Sequence, residues 1–326
     1  MNNKKTVIHV GLPKTATTFL QLNVFPFIEN AFYRGPDPDA NDIEILKPFI
    51  HINVYFPHSA FKNTESIKNY KKELYEYIQR ENILDRNCLF SFESLVGSNF
   101  HSFNNQDENI KTMKEIFPEG KILFVFRKQD EWIESQYNQT FKQSGRFDAG
   151  ELHVAYHNLN DYIGYKFGKF GKSKYINVNA LNWYEMIKKY QDNFGFDNVL
   201  ALPYELFREN PEKFLKIFYD FFEFTPYYPD SYSAVNRSIK RYNFTYYPAL
   251  NIYHRFLDNL PADFQRFLRK NDRGWVKFLS SIKKYKDIKN QKLTKKQREL
   301  IFEIHSKNNK KLAQLTGFDL SNYGYY

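Results

Sequence analysis

Residues 6–21 read Thr-Val-Ile-His-Val-Gly-Leu-Pro-Lys-Thr-Ala-Thr-Thr-Phe-Leu-Gln, and this stretch decides the fold. Its first residues are mostly β-branched and predict a buried strand, which leads through a tight turn into a helix expected to begin at Thr17 and Thr18. A strand that feeds a helix N-terminus directs unpaired backbone N–H groups and the positive end of the helix dipole at one point. Lys14 and the hydroxyl groups of Thr15, Thr17 and Thr18 are expected to add donors there. The stretch therefore predicts an anion-binding loop that suits phosphate.

Patterns of helix and strand alternate after this stretch. A strand that is apolar on both faces is expected to be buried in a parallel sheet, whose connections run through helices. We therefore predict an α/β, P-loop-like three-layer fold, with a central parallel sheet flanked by helices and a ligand at the carboxyl ends of its strands. The predicted elements are a helix over 65–82, strand 88–92, helix 108–117, strand 121–126, a helix over about 180–194, strand 198–202 and helix 211–222.

The C-terminal part of the chain has a different pattern. Beyond residue 230 the strand patterns end, and the clearest helix runs over 294–315 with a stop at Gly317. We expect one domain over 1–326, in which a basic helical cap over 226–326 packs on an α/β core over 1–225.

Composition limits the class of protein. A chain of 326 residues with 42% hydrophobic residues can build a sizeable core. No signal-peptide pattern precedes the first strand, and no window approaches about eighteen uninterrupted apolar residues, so we expect a cytoplasmic protein. The single cysteine, Cys88, lies in an apolar run, which predicts a buried structural thiol.

The net charge of +10 is unevenly distributed, because residues 237–311 contain 20 Lys or Arg and 6 Asp or Glu. This segment could bind nucleic acid, an anionic membrane surface or an anionic substrate, or form a solvated basic face. We expect no nucleic-acid partner, since no helix-turn-helix, zinc or RNA-binding signature accompanies the charge. Peripheral contact with an anionic membrane stays open.

The spacing within the loop separates two classes of phosphate site. The nucleotide-triphosphatase loop requires Gly-x-x-x-x-Gly-Lys-Ser/Thr, whereas Lys14 follows Gly11 by three residues, which is too short. Residues 11–18 instead resemble the phosphosulfate-binding loop, Pro-Lys-x-Gly-Thr-Thr, of sulfotransferases that use 3′-phosphoadenosine 5′-phosphosulfate (PAPS). Ala16 stands where that pattern has glycine, and we expect an alanine there to keep ordinary helical or bridge backbone angles.

The resemblance is to bacterial, carbohydrate-type members of this family, and it covers almost the whole chain. It implies a set of cofactor-binding residues. In the first loop the implied residues are Lys14, Thr15, Ala16, Thr17 and Thr18. Arg127 directly follows strand 121–126, and the spacing Arg-x7-Ser to Ser135 resembles the family's 3′-phosphate segment; without the resemblance Arg127 could be an ordinary surface arginine.

Two further arginines resemble cofactor ligands. Arg237 and Arg241 lie in Val-Asn-Arg-Ser-Ile-Lys-Arg, which resembles the family segment that closes over the nucleotide. They could equally belong to the solvated basic face. Residues 183–205 resemble the family's tryptophan helix, Phe-Gly, strand and Tyr-Glu, and are expected to be scaffold.

Candidates for a general base follow from position. Glu93 comes directly after strand 88–92 and is the preferred base, as in many carbohydrate-modifying members, although such a residue could be a helix cap or an ion-pair partner. His51 and His58, in an aromatic loop, are the alternative, because the soluble animal enzymes use a histidine. His9 lies inside the first strand, where a structural role is expected.

The implied activity is transfer of a sulfuryl group from PAPS to a hydroxyl or amine of an acceptor, with adenosine 3′,5′-bisphosphate as product. A carbohydrate, glycolipid or small-molecule acceptor is expected, and no metal. Two alternatives stay open: an ATP-dependent small-molecule kinase, which would need a longer glycine loop and a magnesium carboxylate, and a non-catalytic nucleotide- or polyanion-binding module.

Overall fold

A computed structural model describes ten stretches of the chain, and its strands and helices alternate as predicted. The described residues are 5–35, 64–80, 87–93, 95–97, 102–143, 163–164, 176–232, 241–243, 285–287 and 292–326. In chain order the elements are β1 (Thr6–Gly11), α1 (Thr17–Asn23), β2 (Ala31–Arg34), α2 (Thr64–Arg80), β3 (Asn87–Ser91), α3 (Gln106–Ile116), β4 (Lys121–Phe126), α4 (Gln129–Gln143), β5 (Ile163–Gly164), β6 (Ile176–Asn177), α5 (Trp183–Phe194), β7 (Val199–Pro203), α6 (Tyr204–Glu209), α7 (Pro211–Phe222), β8 (Arg241–Asn243), β9 (Tyr285–Asp287) and α8 (Lys295–Thr316).

Five of these strands form one parallel sheet in the order β2-β3-β1-β4-β7. The predicted α/β fold with a central parallel sheet is therefore confirmed. Edge strand β2 was not predicted, because four residues are too few for a periodic pattern. The expectation that strands end at residue 230 is wrong, since β8 and β9 pair antiparallel; each has three residues, which again leaves no pattern to read.

The sheet separates two apolar layers, which makes the fold three-layered. Side chains of β1 alternate between them, as in any strand with both faces buried: Val7 faces one layer, and Ile8 and Val10 face the other. The first layer contains α1, α6 and α7, and the second contains α2, α3, α4, α5 and α8. Cys88 is buried in the second layer as a free thiol, as predicted, and burial raises its pKa to about 11.

The C-terminal helix α8 packs on the second layer through Ile301 and Leu312. Thr294 forms its N-cap in a reciprocal capping box with Gln297, and Gly317 ends it with a left-handed backbone, so the predicted boundaries are confirmed within a residue. Most of 233–291 lies outside the described residues, and the division at residue 225 stays a prediction. Among the helices described, none has the length and apolar character to cross a membrane.

Parallel pairing brings the carboxyl ends of four strands to one edge of the sheet. β3 ends at Ser91, β1 at Gly11, β4 at Phe126 and β7 at Pro203. The segments that follow them carry Glu93, the loop over 12–16, Arg127 and Tyr204 in spatial order. Residues far apart in sequence therefore meet at this edge because of the topology.

Candidate anion-binding site at the carboxyl edge of the sheet

The loop between β1 and α1 has an unusual backbone. Gly11, Lys14 and Ala16 have φ angles of 108°, 68° and 63°. Ala16 is the N-cap of α1 in the left-handed region, without a side-chain cap. The expectation that this alanine keeps ordinary angles is wrong, because the turn from β1 into α1 imposes the conformation that glycine adopts most readily. The helix begins at Thr17 as predicted, and the N–H groups of its first turn have no partner within the helix.

Replacing Ala16 with glycine is expected to raise the free energy of unfolding by roughly 0.5–1 kcal/mol, because glycine adopts positive φ without a Cβ clash. Urea unfolding at constant m-value measures the difference. The control is Ala313→Gly inside α8, where glycine should lower stability by about 1 kcal/mol. A loss of stability in Ala16→Gly would show that the loop does not hold this backbone in solution.

Gly11 brings the loop against the end of β3. A Cβ built on Gly11 would lie 2.8 Å from the carbonyl oxygen of Glu93 and 3.1 Å from its Cα. Any other residue would force the two segments apart. The glycine thus allows the loop to pack directly against the segment after β3.

Two threonine hydroxyl groups of the loop donate to the protein backbone and not, as had been expected, to a ligand position. The buried hydroxyls of Thr15 and Thr17 donate to the carbonyl oxygen of Leu12, at 2.6 and 3.1 Å. They close the turn from inside, so, contrary to the sequence prediction, these two hydroxyl groups are not directed at a ligand. Thr18 lies in the first turn of α1, half-buried.

Lys14 and Glu93 act on each other electrostatically at this edge of the sheet. Burial raises the pKa of the Glu93 carboxyl group above its ordinary value, and the positive charge of Lys14 and a hydrogen bond with Thr17 oppose this rise without cancelling it. A carboxyl group with a raised pKa beside a lysine can accept a proton more readily than an exposed glutamate.

Arg127 follows β4 and reaches back to the loop. Its Nη1 donates to the carbonyl oxygen of Lys14 at 3.3 Å, and its Nη2 lies 3.1 Å from Oε2 of Glu131. The guanidinium also stacks over Tyr204, with 4.7 Å between its carbon and the ring centre. The structure therefore brings together three predicted site residues: Lys14, Glu93 and Arg127.

Buried aromatic side chains fix these segments by hydrogen bonds to the backbone. The indole N–H of Trp132 donates to the carbonyl oxygen of Pro13 at 2.8 Å, and the indole N–H of Trp183 donates to the carbonyl oxygen of Arg127 at 2.7 Å. Buried Glu205 accepts the backbone N–H that follows Arg127, at 3.0 Å. Trp183 and Glu205, the first and last residues of the segment 183–205, thus both bind the backbone at or next to Arg127. This agrees with the scaffold role predicted for that segment.

The other predicted residues have separate outcomes. Ser135 lies half-buried in the second turn of α4. His51, His58 and Arg237 lie outside the described residues, and Arg241 is described by its backbone in β8 alone. Their predicted roles stay predictions.

His9 has the structural setting that was expected. It is buried in β1, its Nδ1 lies 2.8 Å from Oγ of Ser91, and Gln21 donates to the same hydroxyl oxygen at 2.9 Å. Burial lowers the pKa of His9 to about 3, so the ring stays neutral at physiological pH. These contacts join α1, β1 and β3 directly beneath the loop.

Residues that sequence analysis missed surround Arg127. Glu131 pairs with Arg127 and also with Arg208 of α6, at 3.0 Å between Nη1 and Oε2. Tyr204 and Arg208 follow β7, so a search of the residues after every parallel strand would have found them. Of these residues, only Tyr204 lies within the segment 183–205 that was predicted to be scaffold.

Away from the loop, the described residues form a surface groove and no metal-binding cluster. The described part of the chain contains no group of three or more His, Cys, Asp or Glu side chains that could hold a metal. A groove of about 420 Å³ lies between the start of α4 and α8, lined by residues that include Asp130, Arg298, Phe302 and Tyr325. Its lining does not include Lys14, Glu93 or Arg127, so it is separate from the loop.

Comparison with known proteins yields a structural likeness. No protein-family model and no curated protein matches this chain. A solved structure described as a sulfotransferase from Alicyclobacillus acidocaldarius is similar to it, with a TM-score of 0.47 and 14% sequence identity over 81% of this chain and 99% of that one. Function must therefore be inferred from the geometry of the site.

Proposed function

We propose that this protein is a sulfotransferase that moves a sulfuryl group from PAPS to a hydroxyl or amine of an acceptor. The observation that carries the proposal is the meeting of Lys14 and Glu93 beside a helix N-terminus, where burial raises the pKa of the Glu93 carboxyl group. A cation, a base and a set of backbone donors are the three components that such a transfer requires.

The residues of the loop fit the phosphosulfate end of the donor. PAPS supplies an activated sulfuryl group, bound through a bridging oxygen to the 5′-phosphate. The backbone N–H groups of residues 15–18 hold that phosphate, and Lys14 stabilises the negative charge that develops on the bridging oxygen. Gly11 lets the loop lie against the segment that carries Glu93, because a Cβ there would meet the backbone of Glu93.

Glu93 acts as the general base. The acceptor oxygen attacks sulfur in line, the new S–O bond forms as the bond to the bridging oxygen breaks, and the acceptor proton moves to the Glu93 carboxylate. Adenosine 3′,5′-bisphosphate leaves with the bridging oxygen. Arg127 and Ser135 bind its 3′-phosphate, a guanidinium being suited to a dianion.

The finer features of the proposal come from the sequence resemblance. A carbohydrate or glycolipid acceptor is proposed on that ground, and a cytoplasmic location is proposed because the sequence shows no signal-peptide pattern and no long apolar window. Contact with an anionic membrane is proposed from the basic segment over 237–311. A screen of acceptors with labelled PAPS tests the acceptor class, and flotation with vesicles that contain phosphatidylserine tests the membrane contact.

The choice of nucleotide gives the sharpest test of the proposed class. Adenosine 3′,5′-bisphosphate should bind at least about tenfold more tightly than ATP without added magnesium, because ATP lacks the 3′-phosphate that Arg127 would bind. Isothermal titration calorimetry measures both. Tighter binding of ATP, with magnesium dependence, would support the kinase instead.

Transfer of labelled sulfate separates an enzyme from a binding module. We expect label from PAPS to reach at least one hydroxyl-bearing acceptor in the screen. Tight binding of the bisphosphate without transfer to any acceptor class would favour a non-catalytic module.

A further inference from the structure

The contacts of Glu131 reveal an arrangement beyond the predicted site. Its Oε2 atom lies 3.1 Å from Nη2 of Arg127 and 3.0 Å from Nη1 of Arg208. Two guanidinium groups therefore converge on one carboxylate oxygen. The side chains are 17% exposed for Arg127, 26% for Glu131 and 45% for Arg208, so the group opens to solvent on the Arg208 side.

The convergence follows from the topology. Arg127 follows β4, and Arg208 lies on α6, which follows the adjacent strand β7. Glu131 lies in the first turn of α4, four residues after Arg127, and this places the two side chains within ion-pair distance. Tyr204, on the same helix as Arg208, packs under the Arg127 guanidinium. The two arginines thus face each other across one carboxylate at the ligand-binding edge.

The guanidinium groups of Arg127 and Arg208 carry more N–H donors than the acceptors that the described residues offer them. The buried Nε–H of Arg127 has no acceptor among the described residues. Burial would raise the pKa of Glu131, but the hydrogen bond and charge of Arg127, with the charges of Arg208 and Lys128, lower it overall, so the carboxylate is ionised at neutral pH. One carboxylate fills part of a site that can accept an anion with more oxygen atoms and more charge.

We propose that Arg208 is a second arginine of the 3′-phosphate subsite and that the Glu131 carboxylate occupies the position taken by a phosphate oxygen when the nucleotide binds. The inference rests on the proposed function and extends it by two residues. A phosphate dianion offers acceptors in several directions, so it can bind both guanidiniums at once and displace the carboxylate. Glu131 therefore competes with the ligand.

The experiment compares two ligands that differ in the 3′-phosphate alone. Dissociation constants of adenosine 3′,5′-bisphosphate and adenosine 5′-phosphate are measured by calorimetry for the full chain and for Arg208→Ala, Arg208→Lys and Glu131→Gln. The control is Lys216→Ala, which removes one exposed positive charge from an ion pair with Asp220 on α7. Circular dichroism checks that each variant is folded.

The expected result is selective for the 3′-phosphate. Arg208→Ala should weaken bisphosphate binding about tenfold and leave the monophosphate unchanged, and Arg208→Lys should recover part of the loss, because lysine lacks the planar fork. Glu131→Gln should tighten bisphosphate binding several-fold. The control should change neither constant.

Several outcomes would overturn the inference. Equal changes for both ligands in Arg208→Ala, or no change, would exclude Arg208 from the subsite. Weaker bisphosphate binding in Glu131→Gln would mean that the carboxylate orients Arg127 and does not compete. These failures are separable from failure of the proposed function, in which the unsubstituted chain itself would not prefer the bisphosphate.

Discussion

Replacing Lys14 with alanine is expected to lower turnover by about a hundredfold to a thousandfold and to change the affinity for adenosine 3′,5′-bisphosphate only a few-fold. The reason is that charge develops on the bridging oxygen in the transition state, so a cation placed there stabilises the transition state more than the bound ground state. The measurements are kcat with labelled PAPS and calorimetric affinity for the product nucleotide.

The backbone of Lys14 does not confound this comparison. Its φ of 68° lies in the left-handed region, where lysine and alanine carry a similar steric cost, so the substitution changes the side chain and little of the loop strain. Lys188→Ala is the matched control, because it removes an exposed lysine paired with Asp192 on α5. Equal losses in turnover and affinity for Lys14→Ala would indicate that Lys14 binds the nucleotide without assisting transfer.

Replacing Glu93 with glutamine is expected to lower kcat by about a hundredfold to ten-thousandfold with little change in nucleotide affinity. Glutamine keeps the size of the side chain but cannot accept the acceptor proton. The measurement is kcat over a range of pH. Unchanged turnover would move the base elsewhere, and His51→Ala and His58→Ala would then be the next variants to measure.

The pH dependence follows from the raised pKa of Glu93. A base acts in its ionised form, so turnover should fall as pH decreases through this pKa, with a midpoint above that of an exposed glutamate. Lys14→Ala should move the midpoint of its residual activity to higher pH, because the lysine charge lowers the pKa. Glu93→Gln should remove this limb of the profile. A midpoint that Lys14→Ala leaves in place would contradict the electrostatic pairing.

The same pKa has a consequence for stability. A carboxyl group whose pKa is higher in the folded than in the unfolded chain favours folding when it is protonated, and this contribution is lost as pH rises from the unfolded value through the folded one. At pH values above its folded-state pKa, the ionised Glu93 therefore opposes folding. At such pH values, Glu93→Gln should have a higher free energy of unfolding than the unsubstituted chain. This is expected when a functional residue destabilises the fold.

Strong local signals made some elements predictable to the residue. Strand β4 was predicted at 121–126 and found there, because both of its faces are buried and its side chains are almost all apolar. Helix α7 was likewise predicted from Pro211 to Phe222, since proline marks its first turn. The structure adds a cap by the Asn210 side chain. Strand β2 and the pair β8 and β9 were missed, because short strands depend on partners that no local pattern reveals.

The sequence by itself determined the parallel α/β architecture, the turn between β1 and α1, and the candidacy of Lys14, Glu93 and Arg127 for an anion site, because these depend on local periodicity and on which residues follow a buried strand. The tertiary structure decided the left-handed backbone of Ala16, the inward hydroxyls of Thr15 and Thr17, and the meeting of Arg208 with Glu131. These features arise from contacts between segments distant in the chain, whose geometry is set when the strands assemble side by side.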